Sequence, residues 1–287
     1  MSRVKPVLAG GAAAMILAGA WQLFPGFGAV EGVAEPSAKE FSLGQDAFAQ
    51  LLADPQAPLG ELEALGFETG AVEGVLDASL ISERDDECAG RGIYWLRQNA
   101  SSKLAITAPH RGSDRHTGIL AASLFEETSA RAAAWNSAPR RPTGQCQFAI
   151  DLARERDHLF SAFAMAFAQA EPDGLMVQLH GFEGARRDTD VAQNAAMILS
   201  NGTPNPSERL LNIADCLSLA FAPQQILVYP GDTGELGALT NAQGQLLNEA
   251  GFEGFVHIEI AAQLRASLIE DGALRAKLAM CLMEGAQ

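Results

Sequence analysis

Two of the five histidines in this 287-residue chain stand at the end of apolar stretches. His110 comes two residues after the apolar residues 104–108, and His180 directly follows residues 174–179. Asp114 lies four residues beyond His110. Two imidazole nitrogens and one carboxylate oxygen are zinc ligands, and three of them leave a fourth position open for water. The sequence therefore predicts a catalytic metal site on these three side chains, although the pattern also fits loop residues bonded to the backbone.

Hydrolysis at such a site also needs a carboxylate that moves protons and does not bind the metal. Glu259 is the candidate, because it lies within the apolar residues 256–260. We expect it to deprotonate a metal-bound water molecule. His257 and Glu259 are two residues apart and share one face of a strand, so an outward-facing position in solvent is the alternative interpretation.

Arginines near the ends of predicted strands are candidates to hold a substrate carboxylate through two parallel hydrogen bonds. They are Arg140, Arg141, Arg154 and Arg265. Each of them alone is also consistent with a solvated surface position. His116, in the same turn as Asp114, is expected to face the substrate or to support the metal ligands.

Other catalytic classes lack their motifs. Residues 231–234 (GDTG) are similar to the catalytic loop of aspartic proteases, but the sequence holds no second copy. It also holds no Gly-x-Ser-x-Gly turn and no glycine-rich phosphate loop, which argues against a serine hydrolase or a nucleoside triphosphatase. The net charge of −15 argues against nucleic acid as a partner, because phosphate binding needs a basic surface.

The elements that must position these residues alternate between strands and helices from about residue 92. Apolar runs predict strands, the first of them at a sheet edge, over residues 93–96, 104–108, 132–136, 174–179, 195–199, 225–229 and 254–260. Helices are predicted over residues 117–131, 159–167 and 206–221, the second of them capped by Asp157, and residues 262–283 are predicted to form the C-terminal helices. This alternation is typical of a three-layer α/β/α fold with a mixed, mostly parallel sheet.

The amino-terminal segment predicts export. Residues 1–5 carry two basic side chains, and residues 6–24 are apolar and uncharged. We therefore expect residues 1–33 to be a signal peptide or an N-terminal membrane anchor, which places the protein in the periplasm or outside the cell, released or tethered. Residues 34–90, interrupted by prolines, are expected to be a lead-in segment, and residues 91–287 the catalytic domain.

The four cysteines are widely spaced, which is not typical of a zinc knuckle or a redox pair. Up to two disulfides fit an exported protein. The favoured pairs are Cys88–Cys146 and Cys216–Cys281, although spacing alone does not fix the connectivity. The oligomeric state does not follow from the sequence.

Several stretches resemble the poly-γ-glutamate hydrolases and the related N-formylglutamate amidohydrolases. Residues 109–118 (PHRGSDRHTG) resemble the metal-binding opening of the first group, and residues 177–181 (VQLHG) resemble its second zinc histidine. Residues 255–265 (FVHIEIAAQLR) are similar to its closing strand, in which a glutamate precedes an arginine by six residues. Residues 151–154 (DLAR) resemble the Asp-x-Asn-Arg element of the amidohydrolases. Together the resemblance extends over residues 92–268.

This resemblance implies a zinc-carboxypeptidase-like fold and hydrolysis of an amide or peptide bond next to a glutamate-like residue. It implies Zn²⁺ as the cofactor, held by His110, Asp114 and His180. The chain departs from the pattern in two places: Asp114 stands where the hydrolases usually have glutamate, and Ala153 stands where the amidohydrolases have asparagine. An exported binding module without turnover, and an esterase or deacetylase with the same metal site, are the competing hypotheses.

Overall fold

The structure is a computed structural model, and it describes residues 38–54, 57–84, 88–141, 143 and 149–287. The predicted signal peptide or anchor, residues 1–33, lies outside the described residues, as does Cys146. Among the helices that the structure describes, none is both long and apolar enough to cross a membrane.

A mixed sheet of nine strands forms the centre of the described chain. The strands are β1 Phe67–Ala71, β2 Ala78–Glu83, β3 Ile93–Arg97, β4 Leu104–Ala108, β5 Ala132–Trp135, β6 Leu175–Phe182, β7 Ala195–Ser200, β8 Gln225–Val228 and β9 Phe255–Ala261. Their order across the sheet is β1-β2-β3-β5-β4-β6-β9-β7-β8. Strands β5, β4, β6 and β9 are mutually parallel, and β8 is parallel to β7. The remaining four pairs are antiparallel.

Helices cover both faces of the sheet. They are α1 Ala38–Ala53, α2 Gly60–Ala64, α3 Thr117–Glu127, α4 Leu159–Ala170, α5 Asp190–Asn194, α6 Glu208–Ala220, α7 Ala242–Glu249, α8 Ala262–Glu270 and α9 Gly272–Gly285. One apolar core packs α3, α6, α8 and α9 against the sheet. A second core packs α1, α4 and α7 against it from the other side. The predicted three-layer α/β/α architecture with a mixed sheet is confirmed, and its parallel pairs are concentrated at the centre.

Alternation along the central strands decides which side chains reach the site. In β6, Leu175, Val177 and Leu179 belong to the first core, and Met176 belongs to the second. Because successive side chains of a strand point to opposite faces, the polar residues of β6 lie on the same face as Met176, the face covered by α1, α4 and α7. The carboxyl half of that face is therefore polar.

The segment predicted as a lead-in supplies α1, α2, β1 and β2. Its first helix is held by aromatic contacts, since the ring of Phe48 lies 4.6 Å from that of Tyr94 and 5.4 Å from that of Phe163. The prediction that residues 93–96 form an edge strand is wrong, because β2 pairs with β3 on the side away from β5.

Two boundaries differ from the predicted ones in ways that matter for the site. Strand β6 continues through Phe182, so His180 lies within a strand and not after it. The amino end of α4 is capped by His158, not by Asp157, since Nδ1 of His158 accepts the backbone N–H of Phe160 at 3.0 Å. The remaining predicted strands and helices are present, with shifts of a few residues at their ends.

The predicted disulfide between Cys216 and Cys281 is present and joins α6 to α9. Cys88 is also disulfide-bonded. Its predicted partner, Cys146, lies outside the described residues, so that pairing stays a prediction.

Candidate metal centre

The three predicted metal ligands converge at the carboxyl ends of β4 and β6. His110 and Asp114 lie in the turn between β4 and α3, and His180 lies on the neighbouring strand β6. Nδ1 of His110 is 3.4 Å from Oδ2 of Asp114, and Nδ1 of His180 is 3.3 Å from the same oxygen. Ligand atoms of the three side chains lie within 4.8 Å of one another. The fold thus brings together three residues, of which His110 and His180 are 70 positions apart in the sequence.

The outer nitrogens of both histidines are already occupied. Nε2 of His110 is 2.6 Å from Oδ1 of Asp151, and Nε2 of His180 is 2.9 Å from Oε1 of Gln178. An imidazole that donates from Nε2 keeps its lone pair on Nδ1. Nδ1 of His110 is buried and has no hydrogen-bond partner among the described residues. Both Nδ1 atoms are therefore oriented as ligands for a cation beside Asp114, and the donor set fits a metal ion.

The two aspartates of the centre are ionised. Burial raises the pKa of Asp114, but its contacts with His110 and His180 outweigh that effect and hold the pKa well below its ordinary value. Burial likewise raises the pKa of Asp151, and contacts with His110 and Arg140 outweigh it and lower the pKa to about 2. Asp114 is thus available as an anionic ligand, and Asp151 as an anionic acceptor behind one histidine.

Burial acts differently on the two histidines. It lowers the pKa of His180 more than the contact with Asp114 raises it, so this imidazole is held neutral. For His110, burial again lowers the pKa, but the nearby carboxylates of Asp114 and Asp151 raise it above the ordinary value. A metal ion on Nδ1 would displace the extra proton that His110 otherwise attracts, because metal and proton compete for the same lone pair.

Glu259 faces the metal centre and not bulk solvent. In the parallel pairing of β6 with β9 it lies opposite His180. Its Oε2 is buried and has no hydrogen-bond partner in the part of the chain that the structure describes, and its Oε1 is 3.8 Å from Nε2 of His257. Burial, followed by the negative charge of Asp114, raises the pKa of Glu259 to about 8. The carboxyl group is therefore poised to hold or release a proton near neutral pH.

His257 adds a second imidazole next to His180. The two rings lie 4.4 Å apart, and burial, followed by the proximity of the His180 and His110 imidazoles, lowers the pKa of His257 well below its ordinary value. His180, His257 and Glu259 also have ligand atoms within 4.8 Å of one another. This second group shares His180 with the first, and a metal ion held by it would remove Glu259 from proton transfer.

A cavity of about 460 Å³ opens over the centre. All six acidic and histidine residues described above line it: His110, Asp114, Asp151, His180, His257 and Glu259. Two of the predicted arginines, Arg140 and Arg154, line it as well. Nη2 of Arg140 is 2.7 Å and Nε of Arg154 is 3.6 Å from Oδ2 of Asp151. The guanidinium of Arg154 is mostly exposed, and it is thus the freer of the two to meet a substrate anion.

The other predicted substrate contacts lie elsewhere. Arg265 is buried behind Gly181 and donates to the backbone carbonyls of Arg115, Phe182 and Ile260. Arg265 was predicted to contact the substrate, but Nε and Nη1 of its guanidinium are bonded to these backbone carbonyls. The described residues that line the cavity do not include Arg141 or His116. Arg141 is exposed, and His116 is half-buried at the amino end of α3 with a φ of 78°.

Sequence reasoning missed several residues of the site. Arg187 lines the cavity, with Nη1 3.6 Å from Oε2 of Glu235 and a buried Nε that has no hydrogen-bond partner in the described ranges. It follows β6 closely, so the criterion that selected the other arginines would also have selected it. Gln178 interrupts an apolar strand, a signal that was present in the sequence. The contact of Asp151 with His110 had no local signal, because 41 residues separate them.

The sequence matches no known family model and no curated protein. The structure is similar to solved structures at low identity. A metallo-carboxypeptidase from Burkholderia cenocepacia is 11% identical with a TM-score of 0.43, and the match covers 83% of this chain and 66% of that one. The LapA aminopeptidase of Legionella pneumophila is 10% identical with a TM-score of 0.42, over 88% and 70% of the two chains. An aspartoacylase family protein from Mesorhizobium loti is 15% identical with a TM-score of 0.39, over 80% and 70%. At identities and scores this low, what the site can do follows from its own residues.

Proposed function

We propose that the protein is a zinc-dependent hydrolase that cleaves an amide or peptide bond. The observation that carries this proposal is the convergence of Nδ1 of His110 and Nδ1 of His180 on Oδ2 of Asp114, with Glu259 beside them. Two imidazole nitrogens and one carboxylate oxygen are a donor set typical of catalytic zinc. His110, Asp114 and His180 would hold the ion and leave Glu259 free.

Zinc, when bound, polarises an amide carbonyl and makes a nearby water molecule more acidic. Oε2 of Glu259, buried and without a partner among the described residues, is placed to accept a proton from that water and to deliver it to the leaving amine nitrogen. A cation in the same cavity favours the ionised carboxylate and opposes the rise in pKa that burial causes. Glu259 would therefore act as the base.

The substrate that we propose is a small peptide or amide with a carboxylate near the scissile bond, a glutamate-like residue. Arg154 and Arg187 lie on the cavity wall, and Arg140 is bound to Asp151 beside them. A guanidinium binds a carboxylate through two parallel hydrogen bonds. The resemblance of the sequence motifs to poly-γ-glutamate hydrolases and N-formylglutamate amidohydrolases supports the same substrate class.

We also propose that the protein works in the periplasm or outside the cell. The Cys216–Cys281 disulfide supports an oxidising compartment, where such bonds persist. The basic and then apolar residues at the start of the chain support export, by a signal peptide or by an anchor. The net charge of −15 supports a partner other than nucleic acid.

Metal analysis and activity assays of four proteins test the proposal. We expect one zinc ion in the wild type, little in a His110→Ala, His180→Ala double variant, and retained zinc in Glu259→Gln. Glu259→Gln should lower kcat for γ-glutamyl or α-peptide amides by roughly 10²- to 10⁴-fold, the contribution usual for a proton-transferring side chain. Lys103→Ala, at an exposed lysine outside the cavity lining, is the control with unchanged zinc and activity.

Equal zinc in the wild type and the double variant would overturn the metal site. A wild type that holds zinc but cleaves no amide in a broad panel would favour the binding module. Cleavage of esters or acetylated substrates alone would favour the esterase or deacetylase.

A further inference from the structure

Three buried amide side chains form a hydrogen-bonded cluster behind His180. They are Gln178, Asn241 and Gln243, called the amide cluster below, and all three are almost fully shielded from solvent. Oε1 of Gln178 lies 2.9 Å from Nε2 of His180 and also accepts a hydrogen bond from Nδ2 of Asn241. Nε2 of Gln178 donates to Oε1 of Gln243 at 3.1 Å. The proton transfers proposed above use none of these amides.

Backbone groups fix the direction in which each amide points. Nε2 of Gln243 donates to the carbonyl of Leu152 at 2.8 Å. A carbonyl can only accept, so the amide oxygen of Gln243 must face Gln178. Oδ1 of Asn241 accepts the backbone N–H of Gly244 at 2.8 Å. A backbone N–H can only donate, so Asn241 must present its nitrogen to Gln178. Both neighbours thus require the oxygen of Gln178 to face His180.

The orientation of Gln178 then decides which nitrogen of His180 carries the hydrogen. An amide oxygen is only an acceptor, so Nε2 of His180 must be protonated in this contact and Nδ1 must hold the lone pair. We propose that the amide cluster sets the tautomer of His180 and so prepares its Nδ1 for the metal ion. The metal-binding part of this inference rests on the proposed function. The tautomer part rests on the orientation of Gln178, which acts against the contact of Nδ1 of His180 with Oδ2 of Asp114 at 3.3 Å, since an anionic oxygen favours a proton on Nδ1.

One short segment would then control both histidines. Asp151 accepts from Nε2 of His110 directly, at 2.6 Å, and the next residue, Leu152, anchors Gln243. The carboxylate acts on its histidine in one step, whereas the carbonyl acts on His180 through two amides. Groups that orient a metal-binding histidine through its second nitrogen commonly change metal affinity by 10- to 100-fold when they are removed.

The test measures the tautomer of His180 and the affinity for zinc in the same variants. Nitrogen-15 NMR of the imidazole at pH 7.5, in metal-free protein, distinguishes Nε2–H from Nδ1–H. We expect Nε2–H in the wild type. Gln178→Met, which keeps the length of the side chain but removes the acceptor, should give a mixture of tautomers and a 10- to 100-fold weaker affinity for zinc.

Three further variants define the result. Gln178→Glu keeps an acceptor oxygen for His180 and should keep the Nε2–H tautomer. Gln243 contacts Gln178 and reaches His180 only through it. Gln243→Met frees the Gln178 amide to turn and should shift the tautomer of His180 in part. Ser161→Ala removes the hydrogen bond of 2.7 Å between Gln243 and the Ser161 hydroxyl, leaves the Leu152 anchor, and is the matched control with an unchanged tautomer.

Persistence of the pure Nε2–H tautomer in both methionine variants would overturn the inference. So would a shifted tautomer in Gln178→Met with zinc affinity equal to that of the wild type, since the orientation would then not matter for the metal. A wild type that binds no zinc but shows the expected tautomers would overturn the proposed function and leave the role of the cluster in setting the tautomer standing.

Discussion

The two ends of β6 and β9 differ on the face of the sheet that carries the site. At their amino ends, Met176 and Phe255 join an apolar core with Phe163 of α4. At their carboxyl ends, buried atoms of His257 and Glu259 have no hydrogen-bond partner within the described residues. The first region is complete without a ligand, because apolar side chains need only be packed. The second carries the cost of unpaired polar atoms, a cost that a cation would reduce.

The largest effect is expected from a substitution in the apolar core at the amino ends of β6 and β9. Phe163 is fully buried, with its ring 5.4 Å from Phe48 and 5.0 Å from Tyr94. Phe163→Ala should lower the free energy of unfolding by roughly 3–5 kcal/mol, since it removes a large buried side chain and leaves a cavity. Urea unfolding measures the loss. The folded fraction should bind zinc as tightly as the wild type, and a weakened zinc affinity would show that the two ends are not independent.

Zinc should raise the free energy of unfolding only through the polar site at the carboxyl ends of β6 and β9. A ligand at 100 times its dissociation constant raises the free energy of unfolding by about 2.7 kcal/mol when it binds only the folded state. Urea unfolding with and without zinc should show this gain for the wild type and for Phe163→Ala. Asp114→Asn, which removes the anionic ligand, should show little of it. The same gain in Asp114→Asn would place the ion elsewhere.

A smaller, pH-dependent effect is expected from His158, which caps α4. Burial, followed by the charge of Arg91, lowers its pKa to about 4, and its Nε2 is unpaired among the described residues. Below the unfolded pKa of about 6.5, the unfolded chain binds a proton that the folded chain refuses. Stability is therefore lost as the pH falls from about 6.5 towards 4.

His158→Asn removes this titration and keeps a capping side chain. Between pH 7.5 and pH 5 the wild type should lose about 2 kcal/mol more than the variant, because one pKa unit corresponds to about 1.4 kcal/mol. Urea unfolding at the two pH values measures the difference. Equal losses in the two proteins would mean that His158 titrates normally.

The sequence was sufficient where the pattern is local. Strand β4 has the bounds predicted from its apolar run, and the helix predicted over residues 159–167 is present as α4. His110, Asp114 and His180 could be grouped because parallel strands bring their carboxyl ends to one edge. Strands β1 and β2 were missed, because residues 67–71 include Glu68, Thr69 and Gly70 and show no clear alternation.

The support of the site could not be predicted from the sequence, because it depends on contacts between distant segments. Gln178 and Asn241 are 63 positions apart, and Gln243 and Leu152 are 91 apart. Nothing in the local sequence of either amide identifies its partner. Arg265 was selected as a substrate contact because it lies near the end of a predicted strand, whereas in the fold its guanidinium donates to the backbone carbonyls of Arg115 and Phe182.

The position of His180 within β6 has a mechanical consequence. Its backbone is paired with Glu259 of β9, and the pairing of β6 with β4 reaches Gln178, two residues before it. His110 and Asp114 stand on a turn. Ladder hydrogen bonds make a strand stiffer than the turn beside it. An ion seated here would have one fixed ligand and two that can swing away together. Release of the ion would therefore begin at the turn, and the rate of metal exchange would report the opening of residues 109–116 and not the stability of the sheet.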